Sequence, residues 1–368
     1  MTPRVTRLVL ALSAPLLALV AAFAITSLVL AAAGDPVLDV WDQILSVPEG
    51  RNVANIINSA SVLYLSGLAA AIGFRMNLFN IGVDGQYRVA AFTAAVVAGE
   101  AWLPGYLNTA LAILCAMAVG ALWAGIAGVL RATRGVSEVI STIMLNAIAT
   151  ALVAYLLRKA AVRVEGSNAI GTKKIQESSQ IPNISIGDGP GQEIYGFVII
   201  AVVVGFLYWF VLNKTTFGFD LRATGRSTTA ATASGIKITR MVVAAMLISG
   251  AVAGLVGLPI LFGESYQYGS TFQSGLGFAG IAIALLGRNH PIGVAIGALL
   301  FAFLNEQSNP LQILVHVSPD IVAITQGVIV LTVVISYELV RRAGVRIEQQ
   351  AVARALNRER TDREEAVV

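Results

Sequence analysis

Charge is what this sequence has least of. Charged residues fill 12% of its 368 positions, about half of the ~25% usual in soluble globular domains. With 56% hydrophobic residues and a mean hydropathy of +0.76, that shortage excludes an ordinary soluble enzyme and leaves a polytopic membrane protein. Cysteine occurs once, at Cys115 in an apolar run, which excludes an intrachain disulfide and a thiolate zinc or redox centre. The two histidines, His290 and His316, fall in different loops, and no metal ligands are assigned. No GxxxxGK(S/T) phosphate-binding loop occurs, so any ATP must be handled by another chain. No Ser–His–Asp, paired-Asp or HExxH constellation falls in the apolar runs, which argues against an intramembrane enzyme. Glu100, Glu138 and Glu338 sit near run ends, whereas an ion-coupled carrier wants acids in mid-membrane. The net charge of +4 reports membrane orientation here and not a nucleic-acid partner.

What is present is apolar sequence. A backbone crossing lipid must satisfy its own hydrogen bonds, so a span is a helix of about 20 apolar residues. The candidate runs are 8–33, 53–73, 86–103, 105–130, 139–157, 194–212, 241–262, 276–287, 291–304 and 321–339. The first exceeds the roughly 7–15 apolar residues of a cleaved signal peptide and is expected to be a retained helix. Run 86–103 carries Arg88 and Glu100, and the pair around Arg288–His290 is short. Such segments predict broken helices beside a pathway. The expected fold is an all-α polytopic membrane protein with about ten transmembrane helices. With the N-terminus inside, most Lys and Arg fall on the cytoplasmic side, and both termini are cytoplasmic. Residues 1–340 form one transmembrane domain. Segment 158–193 lies outside as a loop or small subdomain, and 214–240 is an inner loop. Residues 341–368 are a charged cytoplasmic tail, expected to begin as a helix end and continue disordered.

Polar side chains in such a chain are costly and therefore informative. Residues 73–86 read GFRMNLFNIGVDGQ, either a tight re-entrant turn or the lining of a path. Glu138 opens a helix, where a carboxylate suits the dipole, and Asn146 follows eight residues on, as interhelical glue or pathway. Asn55, Asn58 and Ser61 are spaced three apart and share one helical face. That stripe packs on a partner helix or presents neutral amides to a polyhydroxylated or nucleobase cargo. The candidate pathway residues are Asn55, Asn58, Ser61, Asn80, Gln86 and Asn146. Residues 249–257, SGAVAGLVG, predict close helix packing.

In the inner loop, Ser227 is a candidate N-cap, Ala230, Ala231 and Ala233 follow, and Gly235 is a natural stop. That helix of about two turns is marginal by itself. It is either part of a solvated basic loop or an insert for a groove in another protein, rimmed by Arg222, Arg226, Lys237 and Arg240.

Together, these motifs resemble the permease subunits of bacterial ABC importers of the branched-chain amino acid and simple-sugar class, most closely the nucleoside-type branch. The likeness covers about residues 53–337. The family's NxFNIGxEGQ stands here as Asn77, Phe79, Asn80, Ile81, Gly82, Val83, Asp84, Gly85 and Gln86, with Asp84 for the usual Glu. Its EVISTIMLN matches 138–146, and SGxxAGLxG and LLGRxxPxG match 249–257 and 285–293. Its LRAxGxNxxAAxxxGI matches at Leu221, Arg222, Ala223, Gly225, Ala230, Ala231, Gly235 and Ile236, with Ser227 for Asn and Thr228–Thr229 for Pro–Glu. The resemblance implies a multi-pass subunit of the bacterial plasma membrane that catalyses nothing itself. Arg222, Gly225, Arg226, Ser227, Ala230, Ala231, Gly235 and Ile236 would couple it to a separate ATPase subunit, which holds the ATP and magnesium; this chain carries no cofactor. A second permease subunit, like or unlike, would complete the pore within the membrane lipid. An extracytoplasmic binding protein would deliver a nucleoside, or alternatively a pentose.

Overall fold

The computed structural model describes residues 3–163, 170–270 and 272–365. They are helical almost throughout. In chain order the helices are α1 (Pro3–Ala33), α2 (Val37–Leu45), α3 (Gly50–Phe74), α4 (Val83–Glu100), α5 (Tyr106–Arg134) and α6 (Glu138–Ala160). They continue with α7 (Phe197–Lys214), α8 (Thr216–Arg226), α9 (Thr228–Ala233), α10 (Ile238–Ala253) and α11 (Leu258–Ile260). The last are α12 (Leu276–Leu286), α13 (Pro291–Ser308), α14 (Leu311–Leu314) and α15 (Asp320–Glu365). Among the described residues, seven helical stretches are long and apolar enough to cross a membrane: α3, α5, α6, α7, Ile238–Ser265, Pro291–Leu314 and Asp320–Val340.

Within segment 158–193 the described residues after α6 form a small subdomain of two short ladders. β1 (Val162–Arg163) pairs antiparallel with β2 (Ile170–Gly171), and β3 (Ile184–Ser185) with β4 (Glu193–Ile194). Residues 164–169 lie outside the described residues. α7 consequently begins at Phe197, three residues later than the apolar run suggests, because Glu193 and Ile194 are spent on a ladder. The expected disordered tail is instead a continuation of α15 to Glu365. An Arg342–Glu338 bond of 2.7 Å supports its start at the i,i+4 spacing that favours helix. Residues 366–368 lie outside the described residues.

The chain forms two compact units, residues 1–45 with 308–368, and residues 46–307. In the first, α1 packs along α15, and Trp41 donates to Ser27 Oγ at 2.9 Å. In the second, α4 is the hub, packed against α3, α5, α6, α10 and α12. Small residues allow this. A methyl on Gly250 of α10 would run into the Gly120 carbonyl of α5, and one on Gly254 into the Ala116 carbonyl, as the small-residue pattern predicts. Burial grades outward: 83% of the apolar window of α3 is buried, against 22% for α6. α6 therefore turns most of its surface to lipid or to another chain.

The second unit has two ends. One carries α8, α9 and the turns joining α3 to α4, α5 to α6 and α12 to α13. The other carries the 161–196 subdomain, tied down where Lys173 meets Glu100 at 2.7 Å.

Candidate functional site

The first part of the site lies on α4. Asp84 Oδ2 accepts from Arg88 Nε at 3.0 Å, and Asp84 Oδ1 accepts from the Gly275 backbone N–H at 3.0 Å. Gly275 is the N-cap of α12, so one carboxylate serves both a guanidinium and the positive end of a helix. α12 has 11 residues, about 16 Å, half of a ~30 Å hydrocarbon core. A methyl on Gly277 would strike the Asp84 backbone, so the two helix starts touch. The described chain entering α12, residues 266–270 and 272–275, is non-helical. It lies along α4: Tyr87 Oη donates to the Gln273 carbonyl at 2.8 Å, Tyr268 meets Phe92 edge-on at 5.7 Å, and Phe272 stacks on Tyr268 at 4.5 Å. Gln273, Ser274 and Gly275 are exposed, and Arg88 keeps 20% of its side chain open on a helix otherwise buried along most of its length.

The second part lies at the α8–α9 end. Ser227 caps α9, its Oγ accepting from the Ala230 N–H at 3.2 Å. Gly235, at φ +84°, ends the turn in the left-handed conformation glycine favours. The cap and stop read from sequence are therefore as expected. α8 was not expected: Thr215 caps it through Gly218 N–H at 3.1 Å, and it buries Gly218, Leu221 and Thr224. Within the coupling residues, Arg226, Ser227, Ala230 and Gly235 are exposed, Arg222, Gly225 and Ile236 are half-buried, and Ala231 is buried. Ala231 thus anchors α9 on its own chain, while Thr228, Thr229, Ala230, Thr232 and Ala233 face outward. Beside α9 opens a cleft of about 470 Å³ lined by Asn77, Arg131, Arg226 and Ser227 among others.

These helices are fastened to the α3–α4 junction. Asn77 Nδ2 donates to the Gly225 carbonyl at 2.8 Å. A methyl on Gly225 would run into the Arg75 carbonyl. Arg75 in turn donates to the Asn289 carbonyl at 2.7 Å, which Tyr208 Oη also meets at 2.7 Å. Asn289 follows α12. Glu138 closes the same end, pairing with Arg131 at 3.3 Å.

The six candidate pathway residues fall into two separate groups. Asn80 and Gln86 form a fully buried reciprocal amide pair at 2.8 and 3.0 Å, and Asn80 also donates to Ser249 Oγ at 2.8 Å. Asn146 clamps the start of α4, accepting from Gly85 N–H and donating to the Ile81 carbonyl, both at 2.9 Å. Near the opposite end of α3, Asn55 donates to Glu306 at 3.0 Å. Asn58 bonds the Glu193 carbonyl and the Tyr195 N–H at 2.9 and 2.8 Å, and Ser61 donates to the Asn58 carbonyl at 2.7 Å. Within the stripe, Asn58 ties the 161–196 subdomain to α3, whereas Asn55 ties α3 to α13. Burial and the neighbouring Glu264 carboxylate hold the Tyr195 hydroxyl there above its usual pKa. From sequence, Arg88 was read only as a charge that weakens run 86–103, and the chain entering α12 was not singled out.

Residues 52–336 match the family described as branched-chain amino acid transport system, permease component. The guanosine ABC transporter permease protein NupP of Bacillus subtilis is 35% identical, covering 88% of this chain and 93% of that protein. The nucleoside ABC transporter permease protein NupB of Lactococcus lactis is 30% identical over 88% of this chain and 90% of its own length. The glucose ABC transporter permease protein TsgB13 of Haloferax volcanii is 29% identical over 93% and 92%. With its motifs on the surfaces just described, this chain belongs to the branched-chain amino acid transport system permease component family of ABC transporters.

Proposed function

We propose that the chain is the membrane-spanning subunit of an ATP-driven importer that carries nucleosides into the cell. The observation that carries the reading is a short, capped, outward-facing helix fastened by a continuous set of contacts to a polar wall inside the bundle. The similarity to guanosine and nucleoside permeases favours nucleosides as cargo.

Closure of ATPase partners on ATP would press on Thr228, Thr229, Ala230, Thr232 and Ala233. From Gly225 the push reaches the Arg75 backbone. It then passes from the Arg75 guanidinium to Asn289, and along α12 to Gly275 and Asp84. A displaced α12 would carry residues 272–275 with it, and so alter the wall that cargo passes. Asn80, Gln86 and Asn146 brace α4 behind that wall. Asn55, Asn58 and Ser61 lie toward the end where a binding protein would deliver. A second permease subunit would close the path opposite Gln273 and Ser274. The cargo crosses unchanged, so this chain needs no cofactor, and ATP and magnesium belong to the ATPase.

Affinity purification of tagged chain, followed by uptake assays, tests this. An ATP-binding chain should copurify, and labelled guanosine should enter cells in an ATP-dependent way. ATP-dependent uptake of ribose or glucose without any nucleoside would move the chain to the sugar branch. Transport without an ATP-binding chain would overturn the reading altogether.

A further inference from the structure

One concavity of the second unit takes no part in the arrangement above. It is a groove of about 620 Å³ between α3, α7 and α13, walled by Tyr64, Val202, Phe206, Trp209, Ile292 and Leu299 among others. All of these but the half-buried Tyr64 are exposed, so the groove opens outward from the bundle. Its polar side chains are Ser61, Tyr64 and Trp209, and the Ser61 hydroxyl is spent on the Asn58 carbonyl at 2.7 Å. We propose that the groove binds one anionic phospholipid. The phosphate lies at Lys214, an ester carbonyl at Tyr64, and an acyl chain runs on toward Val198. The site needs only a membrane-spanning chain and is independent of the cargo.

Length, charge and one hydroxyl narrow the occupant. The groove follows α7 from Val198 to Trp209, about 16 Å. A helix of a second subunit needs the full ~30 Å of the hydrocarbon core, and half of that is one leaflet. The two ends differ in charge. Lys214 Nζ lies over the Trp209 ring, 5.8 Å from its centroid, and exposed Arg288 and His290 stand just before the lining residue Pro291. Toward the Val198 end, the neighbouring charges are acidic: Glu193, whose carbonyl meets Asn58, and Glu306, which meets Asn55. A phosphate is therefore drawn to the Lys214 end, where tryptophan and lysine form the pairing typical of a membrane boundary. Tyr64 sets the next level. A methyl on Gly205 would strike its hydroxyl, and Gly205 stands four residues before Trp209, about 6 Å along α7. Among the described residues that hydroxyl makes no hydrogen bond, and lipid tails offer none. The glycerol esters of a phospholipid lie a few bonds below its phosphate, where the Tyr64 O–H lacks an acceptor.

The test uses the full chain with Trp41, Trp102 and Trp123 changed to Phe, so that Trp209 is its one tryptophan. It is reconstituted in phosphatidylcholine vesicles doped with a chain-brominated lipid, whose bromines quench indole emission on contact. Brominated phosphatidylglycerol should reach half-quenching at a roughly fivefold lower mole fraction than brominated phosphatidylcholine. Lys214→Gln, at an exposed position, should make the two equal. An ether-linked phosphatidylglycerol, which lacks the carbonyls, should need roughly fivefold more than the ester form. Tyr64→Phe should remove that difference and keep the headgroup preference. Native mass spectrometry of the wild-type importer, with every tryptophan in place, should find phosphatidylglycerol retained over phosphatidylcholine. Equal quenching by the two headgroups before any change at Lys214, or a preference kept in Lys214→Gln, overturns the assignment. So does an ester preference that survives Tyr64→Phe. Trp209 quenched in the isolated chain but shielded in the assembled importer, read as the difference against Trp209→Phe, gives the groove to a partner subunit and equally overturns it.

Discussion

Neutralising Asp84 should loosen the α4–α12 contact by an amount the geometry sets. The Asp84 side chain is 7% exposed and that of Arg88 20%. Removing one member of a buried ion pair typically costs about 3–5 kcal/mol, because the survivor is left charged and unpaired. Asp84→Asn retains an oxygen for the Gly275 N–H, and Arg88 reaches open space, so the lower end, about 3 kcal/mol, is expected. Arg88→Gln strands the more deeply buried carboxylate and should cost about 4 kcal/mol. The double variant replaces the pair with two neutral amides and should cost less than the sum by about 2 kcal/mol. Unfolding in a detergent titration can be followed by a thiol-reactive dye on Cys115, the only cysteine in the chain. Single losses that add to within about 0.5 kcal/mol, or no loss in Asp84→Asn, would refute the pairing as a structural element.

Other consequences concern the α8–α9 end. Ala233→Arg, on the exposed face of α9, should release the copurifying ATPase while the melting curve of the chain is unchanged. Ala231→Arg should instead lower folded yield, because a 2% exposed alanine has no room for an arginine. Gly225→Ala forces a methyl against the Arg75 carbonyl and should destabilise by about 1–3 kcal/mol. ATPase activity in that variant should persist while transported nucleoside per ATP falls.

Local grammar was legible in the sequence and distant partnership was not. Ser227, Gly235 and the alanines between them specify a capped turn within nine consecutive positions, and α9 is there. α8 was hidden because Gly218 and Gly225 read as loop residues. Both are glycine for tertiary reasons: Gly218 lies against the Val211 and Leu212 carbonyls and Gly225 against Arg75. The asparagines were recognised as costly, but their partners are set by the fold. Asn58 bonds a backbone N–H 137 residues away, and Asp84 one 191 residues away. Arg88 looked like a blemish in a weak apolar run although Asp84 stands one helical turn before it; what only the fold supplies is the Gly275 N–H that shares the same carboxylate.

The central claim is that ATP hydrolysis on a partner, delivered through α9, drives cargo past the α4 wall. Proteoliposomes containing the complete importer, loaded with binding protein and labelled guanosine, measure this directly. Accumulation should require ATP on the α8–α9 face and should be lost in Ala233→Arg. Accumulation that proceeds equally without ATP, or that follows an imposed ion gradient, would contradict the account.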